Sequence, residues 1–115
     1  MWEVEYYKKE NGDCPVEEFL LALPIKQRMK AIRQIDLLEA RGTKLREPHA
    51  KHIKGKLWEL RIKFAKDIQR VFYFAPNGSK FVLLHGYVKK TNKAPTRDLV
   101  LAESRLKDYE RRCAL

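Results

Sequence analysis

Between Leu57 and Lys90 the chain reads LWELRIKFAKDIQRVFYFAPNGSKFVLLHGYVKK, and this stretch restricts the fold more than any other. Trp58, Leu60, Ile62 and Phe64 alternate with Glu59, Arg61 and Lys63, a period of two that gives a strand one apolar and one charged face. Ile68–Ala75 and Phe81–Tyr87 are rich in β-branched and aromatic residues, so two more strands are predicted. Between them lies Pro76-Asn77-Gly78-Ser79, and Asn-Gly is a strong hairpin signal because both residues tolerate positive φ.

That turn predicts a register. With Asn77 and Gly78 as the loop, Ala75 faces Lys80, Phe74 faces Phe81, Phe72 faces Leu83, and Arg70 faces His85. The preceding hairpin, at Ala65-Lys66-Asp67, has two readings. A two-residue loop sets Arg61 opposite Arg70 and makes Arg61, Arg70 and His85 one row across three strands; a three-residue loop sets Ile62 opposite Arg70 and abolishes the row. The first is preferred, because the second puts Arg70 on the apolar face of Trp58, Leu60 and Ile62, where an unpaired guanidinium is expensive. It leaves two arginines side by side, an arrangement that makes sense with a polyanion between them.

A length of 115 residues suggests one domain spanning 1–115, and 44% hydrophobic residues suffice for one modest core. Lys plus Arg number 25 against 15 for Asp plus Glu, a formal net charge of +10 that favours an anionic partner, nucleic acid first. The two cysteines, Cys14 and Cys113, lie near opposite ends without CxxC spacing and read as free thiols of a reducing compartment. No apolar run reaches about 18 residues, and the N-terminus lacks a basic start followed by an apolar segment. The expectation is a soluble, cytoplasmic protein without membrane contact.

Upstream, Trp2, Val4 and Tyr6 alternate with Glu3, Glu5 and Tyr7 in a short strand ended by Asn11-Gly12-Asp13. Pro15 opens a helix with Glu17 and Glu18 near its positive end, and Val16, Phe19, Leu20 and Leu23 form its apolar side until Pro24. A second helix is predicted from about Ile25 to Ala40, with Met29, Ile32, Ile35 and Leu38 as its buried stripe and Gly42 as its stop. Leu45 to Lys56 reads as a basic connection. After the meander and the polar segment Lys89–Lys93 comes a last helix, about Thr96–Arg112, with Leu99, Ala102, Leu106, Tyr109 and Cys113 on one side. The expected fold is α+β: an antiparallel sheet of about four strands, an N-terminal helical hairpin on one face, and a C-terminal helix over part of the other.

LWELRI, IQRVFYF, the Asn-Gly turn, LLHGYVKKTNKAP, and Ala102-x-x-Arg105-x-x-x-Tyr109 together resemble the RelE/HigB superfamily of type II toxins, closest to its phage-derived HigB-like branch. The resemblance is densest from Lys51 to Tyr109. It implies a RelE-like fold and an antitoxin-controlled endoribonuclease that cuts mRNA in the ribosomal A site without a metal or other cofactor. It also implies that cations on the open sheet face and after the last strand hold the scissile phosphate. By position these are Arg61, Arg70, and Lys89 or Lys90.

Cleavage by the neighbouring 2′-hydroxyl needs a proton acceptor, positive charge against the phosphorane, and a proton donor for the leaving oxygen. Arg61 and Arg70 suit the second role because guanidinium is planar, bidentate and permanently charged. The bland alternative pairs them with Glu59 or Asp67. His85 titrates in the range of an acid or base, although a strand histidine beside an arginine is often only a satisfied, partly buried group. Tyr87 is a candidate for stacking on a base, against the commoner role of a packing tyrosine. Lys51, Lys54, Lys56, Lys63 and Lys93 supply a field toward RNA, or else a solvated surface. His49 and His52 have the spacing of a metal pair but lack a third ligand, so no metal site is expected. The competing readings are a noncatalytic basic module that binds nucleic acid, and an inactive relative kept for its antitoxin contact.

Overall fold

The computed structural model describes residues 2–89 and 96–113. Five strands and three α-helices follow in the order β1 (Glu3–Tyr6), α1 (Pro15–Ala22), α2 (Ile25–Arg41), a short 3-10 turn (Gly42–Lys44), β2 (Ala50–Lys54), β3 (Leu57–Phe64), β4 (Asp67–Asn77), β5 (Lys80–Lys89) and α3 (Thr96–Cys113). They form one sheet in the order β1-β5-β4-β3-β2. β1 runs parallel to β5 and every other pairing is antiparallel, so the sheet is mixed rather than wholly antiparallel. The expected basic connection contains the fifth strand. Lys51, His52 and Lys54 conceal it, because only Ala50 and Ile53 of this edge strand turn toward the two cores, and a bulge between His52 and Lys54 breaks the alternation.

The helical hairpin covers the face built from Leu60, Ile62, Val71, Tyr73, Phe81 and Leu83, with Val16, Leu20, Ala31, Ile35 and Leu38 packed against it. On α2 the inward stripe is Ala31, Ile35 and Leu38, while Met29 and Ile32 are exposed, contrary to the predicted stripe. This helix carries two apolar stripes, and the small Ala31 lets the first lie close to the sheet. Gly42 ends α2 as expected, its backbone N–H bonded to the Leu38 carbonyl and its φ at +58°. The Trp2 indole lies where a side chain at Gly42 would be, and it stacks on Phe81 with ring centroids 4.5 Å apart.

The hairpin between β3 and β4 has the two-residue loop, Ala65-Lys66, so Arg61 lies opposite Arg70. Ala65 takes φ +52° to make it, an uncommon conformation for a residue with a Cβ. The next hairpin departs from expectation. Neither Asn77 nor Gly78 adopts positive φ; the Asn77 side chain instead accepts from the Ser79 backbone N–H at 2.9 Å, an Asx turn that moves the bend to Gly78-Ser79.

Pro76, which has no N–H for the ladder, lies in a second irregularity between Phe74 and Asn77, and an extra residue, Leu84, lies between Leu83 and His85. Arg70 therefore pairs with Tyr87, and His85 pairs with Phe72. The bulge also exchanges faces: Phe81 and Leu83 join the hairpin side, whereas Val82 and Leu84 join Phe72 and Phe74 under α3.

Gly86 lies in β5 where the Phe19 ring of α1 presses on the backbone, and an added Cβ would collide with that ring. Gly86→Ala is expected to destabilise the fold by about 1–3 kcal/mol in urea unfolding. Combining it with Phe19→Leu should recover part of the loss, because the two side chains compete for one space.

Candidate functional site

Register places three rows of side chains on the sheet face opposite the helical hairpin: Lys51, Glu59, Phe72 and His85; Arg61, Arg70 and Tyr87; and Lys63 with Ile68. α3 lies across part of this face, packing Ala102, Leu106 and Tyr109 on Leu57, Phe72, Phe74, Val82 and Leu84. Arg70 is consequently 3% exposed and Glu59 only 1%. The expected open row of Arg61, Arg70 and His85 is not formed: Tyr87 takes the third place and Arg70 is inside.

Burial makes Glu59 the counter-ion. Arg70 Nη1 donates to Glu59 Oε1, the Tyr87 hydroxyl donates to Oε2 at 3.0 Å, and Arg61 Nε stands 3.9 Å from Oε1. Burial, and then the Glu59 carboxylate, push the Tyr87 hydroxyl well above its ordinary pKa, so it stays a donor. Its ring clusters with those of Phe72 and His85, at centroid distances of 5.3 and 5.9 Å, and the residue is only 7% exposed, so it is a packing tyrosine rather than a platform for a base. One carboxylate thus serves two guanidiniums. Arg70 takes the close contact, and Arg61, with 28% of its side chain exposed, carries its charge outward.

His85 is bonded at both ring nitrogens. Arg105 Nη1 lies 3.0 Å from Nδ1 and Asp98 Oδ1 lies 2.6 Å from Nε2. Arginine can only donate, so Nδ1 accepts and Nε2 carries the proton toward Asp98. Burial lowers the imidazole pKa, Asp98 opposes that shift, and Arg105 reinforces it. A proton-transfer role for His85 requires one of these bonds to open first.

Arg61 leads to an open cleft of about 410 Å³, lined by Lys30, Gln34, Pro48, His49, Arg61, Lys63 and Ile68. It exists because β2 starts at Ala50, opposite Leu60, leaving the rest of β3 without a strand neighbour on that side. Side chains and the turn before β2 fill in. Arg61 N–H donates to the His49 carbonyl at 2.8 Å, Gln34 Nε2 of α2 donates to the Arg61 carbonyl at 2.8 Å, and the same Nε2 lies 3.2 Å from His49 Nδ1. Among the described residues the walls hold three permanent cations and an imidazole but no carboxylate, the chemistry of an anion site.

Of the residues singled out in the sequence, Arg61 and Lys63 meet in this cleft, together with His49. Lys51 is exposed at the margin of the same sheet face. Lys54 and Lys56 are drawn to Glu103 and Glu110 of α3, so they bridge strand and helix. The backbone of Lys89 pairs with Ile68. Lys90 and Lys93 lie outside the described residues.

Lys30 and Gln34 were not anticipated, and His49 was considered only with His52 as a metal pair. A local signal existed only in part: Lys30 and Gln34 share a flank of α2 by their i, i+4 spacing, but nothing local places that flank beside β3.

Residues 18–107 match the family model for phage-derived protein Gp49-like (DUF891). The chain belongs to this family. No curated protein matches it. Among the described residues of this Gp49-like chain no helix is long and apolar enough to cross a membrane.

Glu59→Ala, which strands Arg70 without a counter-ion, is expected to destabilise by about 3–5 kcal/mol, whereas Arg61→Ala at the exposed end should change stability by under about 1 kcal/mol; urea titrations compare them. A second expectation concerns pH. With its folded pKa below the unfolded value, His85 takes up protons more readily in the unfolded chain. Its contribution is complete above the ordinary histidine pKa of about 6.5 and is lost as pH falls through it toward the folded value. Unfolding free energy should decline over that window, and His85→Gln should flatten the decline.

Proposed function

We propose that this Gp49-like protein is the toxin of a toxin–antitoxin pair and inhibits translation by cutting mRNA on the ribosome, with the scissile phosphate held at the cleft beside β3. The observation that carries the reading is the gathering of Lys30, His49, Arg61 and Lys63 around one opening that, among the described residues, holds no carboxylate. Membership of the phage-derived Gp49-like family, which is associated with toxin–antitoxin pairs, supports it, as does the net charge of +10. The likeness of LWELRI, IQRVFYF and LLHGYVKK to RelE/HigB toxins supplies the ribosome, mRNA and an antitoxin as partners.

In this reading the 2′-oxygen attacks phosphorus, the P–O5′ bond breaks, the 2′ proton passes to a base, and the 5′ oxygen receives a proton. Arg61 and Lys63 oppose the charge growing on the phosphorane, where preorganised cations contribute most. Lys30 adds charge from the α2 side. His49, whose Nδ1 lies 3.2 Å from Gln34 Nε2, is the candidate for proton transfer in the cleft. Arg70 acts indirectly, by occupying Glu59 so that Arg61 is not drawn fully inward. Arg70→Ala is therefore a poor probe, because loss of activity would be confounded with loss of fold.

The deciding experiment maps cellular mRNA 5′ ends after induction of wild type, Arg61→Ala, Lys63→Ala and His49→Ala. New ends within translated frames are expected for wild type, falling about 100-fold in Arg61→Ala with its circular dichroism retained. Growth arrest without new ends would instead identify a noncatalytic module that binds nucleic acid. Undiminished cleavage in both Arg61→Ala and Lys63→Ala would remove the cleft from the mechanism.

A further inference from the structure

Among the described residues nothing covers the second apolar stripe of α2. Ile25, Met29 and Ile32 are 61%, 48% and 43% exposed, and Leu21 of α1, at 59%, lies across the interhelical turn from them. At i, i+4 and i+7 these α2 residues form one line about 10 Å long on the helix surface. Exposed apolar residues are ordinary when scattered; a line continued onto a neighbouring helix is the footprint of another element.

Charge tells what kind of element. Lys26, Lys30 and Arg33, at i, i+4 and i+7 one residue further round the helix, run beside the stripe, and none is in an ion pair among the described residues. Arg28, on the opposite side, is turned back onto the carbonyls of Leu20, Leu21 and Leu23, so it closes the end of α1 rather than facing outward. Asp36 continues the stripe at its C-terminal end, and Glu17 and Glu18 precede Leu21 on α1. The cation row thus defines one flank only.

A second copy of this chain is disfavoured, since two molecules of charge +10 would bring like surfaces together. We infer that this face docks an acidic amphipathic helix of a partner protein, apolar side on Leu21, Ile25, Met29 and Ile32, with carboxylates along Lys26, Lys30 and Arg33. Lys30 also lines the anion cleft, so a seated helix takes a cation away from it. Docking and anion binding then compete through one side chain. The competition rests on the reading of the cleft given above; the docking does not.

The test uses the full chain and a synthetic peptide of about 18 residues, long enough to hold a helix. It carries leucines at i, i+4 and i+7 and glutamates along one flank; a control has lysines for the glutamates. Fluorescence anisotropy should show binding of the acidic peptide alone, weakened about tenfold or more by Met29→Glu, by Lys26→Glu/Arg33→Glu, and measurably by Lys30→Ala. These are exposed positions, and circular dichroism confirms that each variant folds.

Equal binding of both peptides, or unchanged affinity in Met29→Glu, would overturn the docking. So would a concentration-dependent dimer in sedimentation that Met29→Glu abolishes, which would assign the face to a second copy. Adding the acidic peptide should also lower affinity for a single-stranded RNA oligonucleotide. RNA affinity that is undiminished at saturating peptide would refute the shared role of Lys30, whereas wild type that binds no RNA would sink the reading of the cleft and leave the docking result standing.

Discussion

The buried pair of Glu59 and Arg70 is the interaction on which the arrangement depends. Glu59 belongs to the charged side of β3, Arg70 shares its side of β4 with Phe72 and Phe74, and α3 packs on that face of the sheet. An ion taken from water alone is very unfavourable, so α3 can lie there only because each charge has the other and Glu59 also accepts from Tyr87. The pair links β3, β4 and β5 beneath the helix. It also polarises the site: Arg70 has the close contact with the carboxylate, and Arg61, its neighbour in the ladder, is left facing the cleft.

The cleft owes its existence to mismatched lengths. β3 extends past the start of β2, and a strand that outruns its neighbour exposes backbone groups that something must satisfy. Here Gln34 reaches from α2 to the Arg61 carbonyl, bringing with it the flank that bears Lys30. α2 therefore faces three environments at once: the core through Ala31, Ile35 and Leu38, the cleft through Lys30 and Gln34, and solvent through Ile25, Met29 and Ile32.

Local chemistry made some of this legible. The choice between two loops at Ala65-Lys66 could be argued from the expense of burying Arg70 among Leu60 and Ile62, and the loop that avoids it is the one formed. The Asn77-Gly78 turn misled because two devices compete there. The dipeptide suits a positive-φ bend, but the Asn77 side chain can also cap Ser79, and with Pro76 interrupting the ladder the latter prevails. The resulting shift moved His85 from beside Arg70 to beside Phe72, where Arg105 and Asp98 hold it. β2 was hidden because its core-facing residues, Ala50 and Ile53, lie on either side of a bulged edge strand otherwise made of Lys51, His52 and Lys54, so hydrophobic alternation is absent.

Composition and periodicity alone determined the basic charge, the α+β class, the helical hairpin, the C-terminal helix, and the side of β3 on which Glu59, Arg61 and Lys63 lie. Tertiary structure decided which of those charges meets solvent. Alternation specifies the side of a sheet, a property of consecutive residues, whereas exposure depends on what covers that side, and α3 begins 35 residues after Arg61 along the chain. For the same reason the partners of Arg61 at the cleft, Lys30 and His49, became visible only once distant segments were packed together.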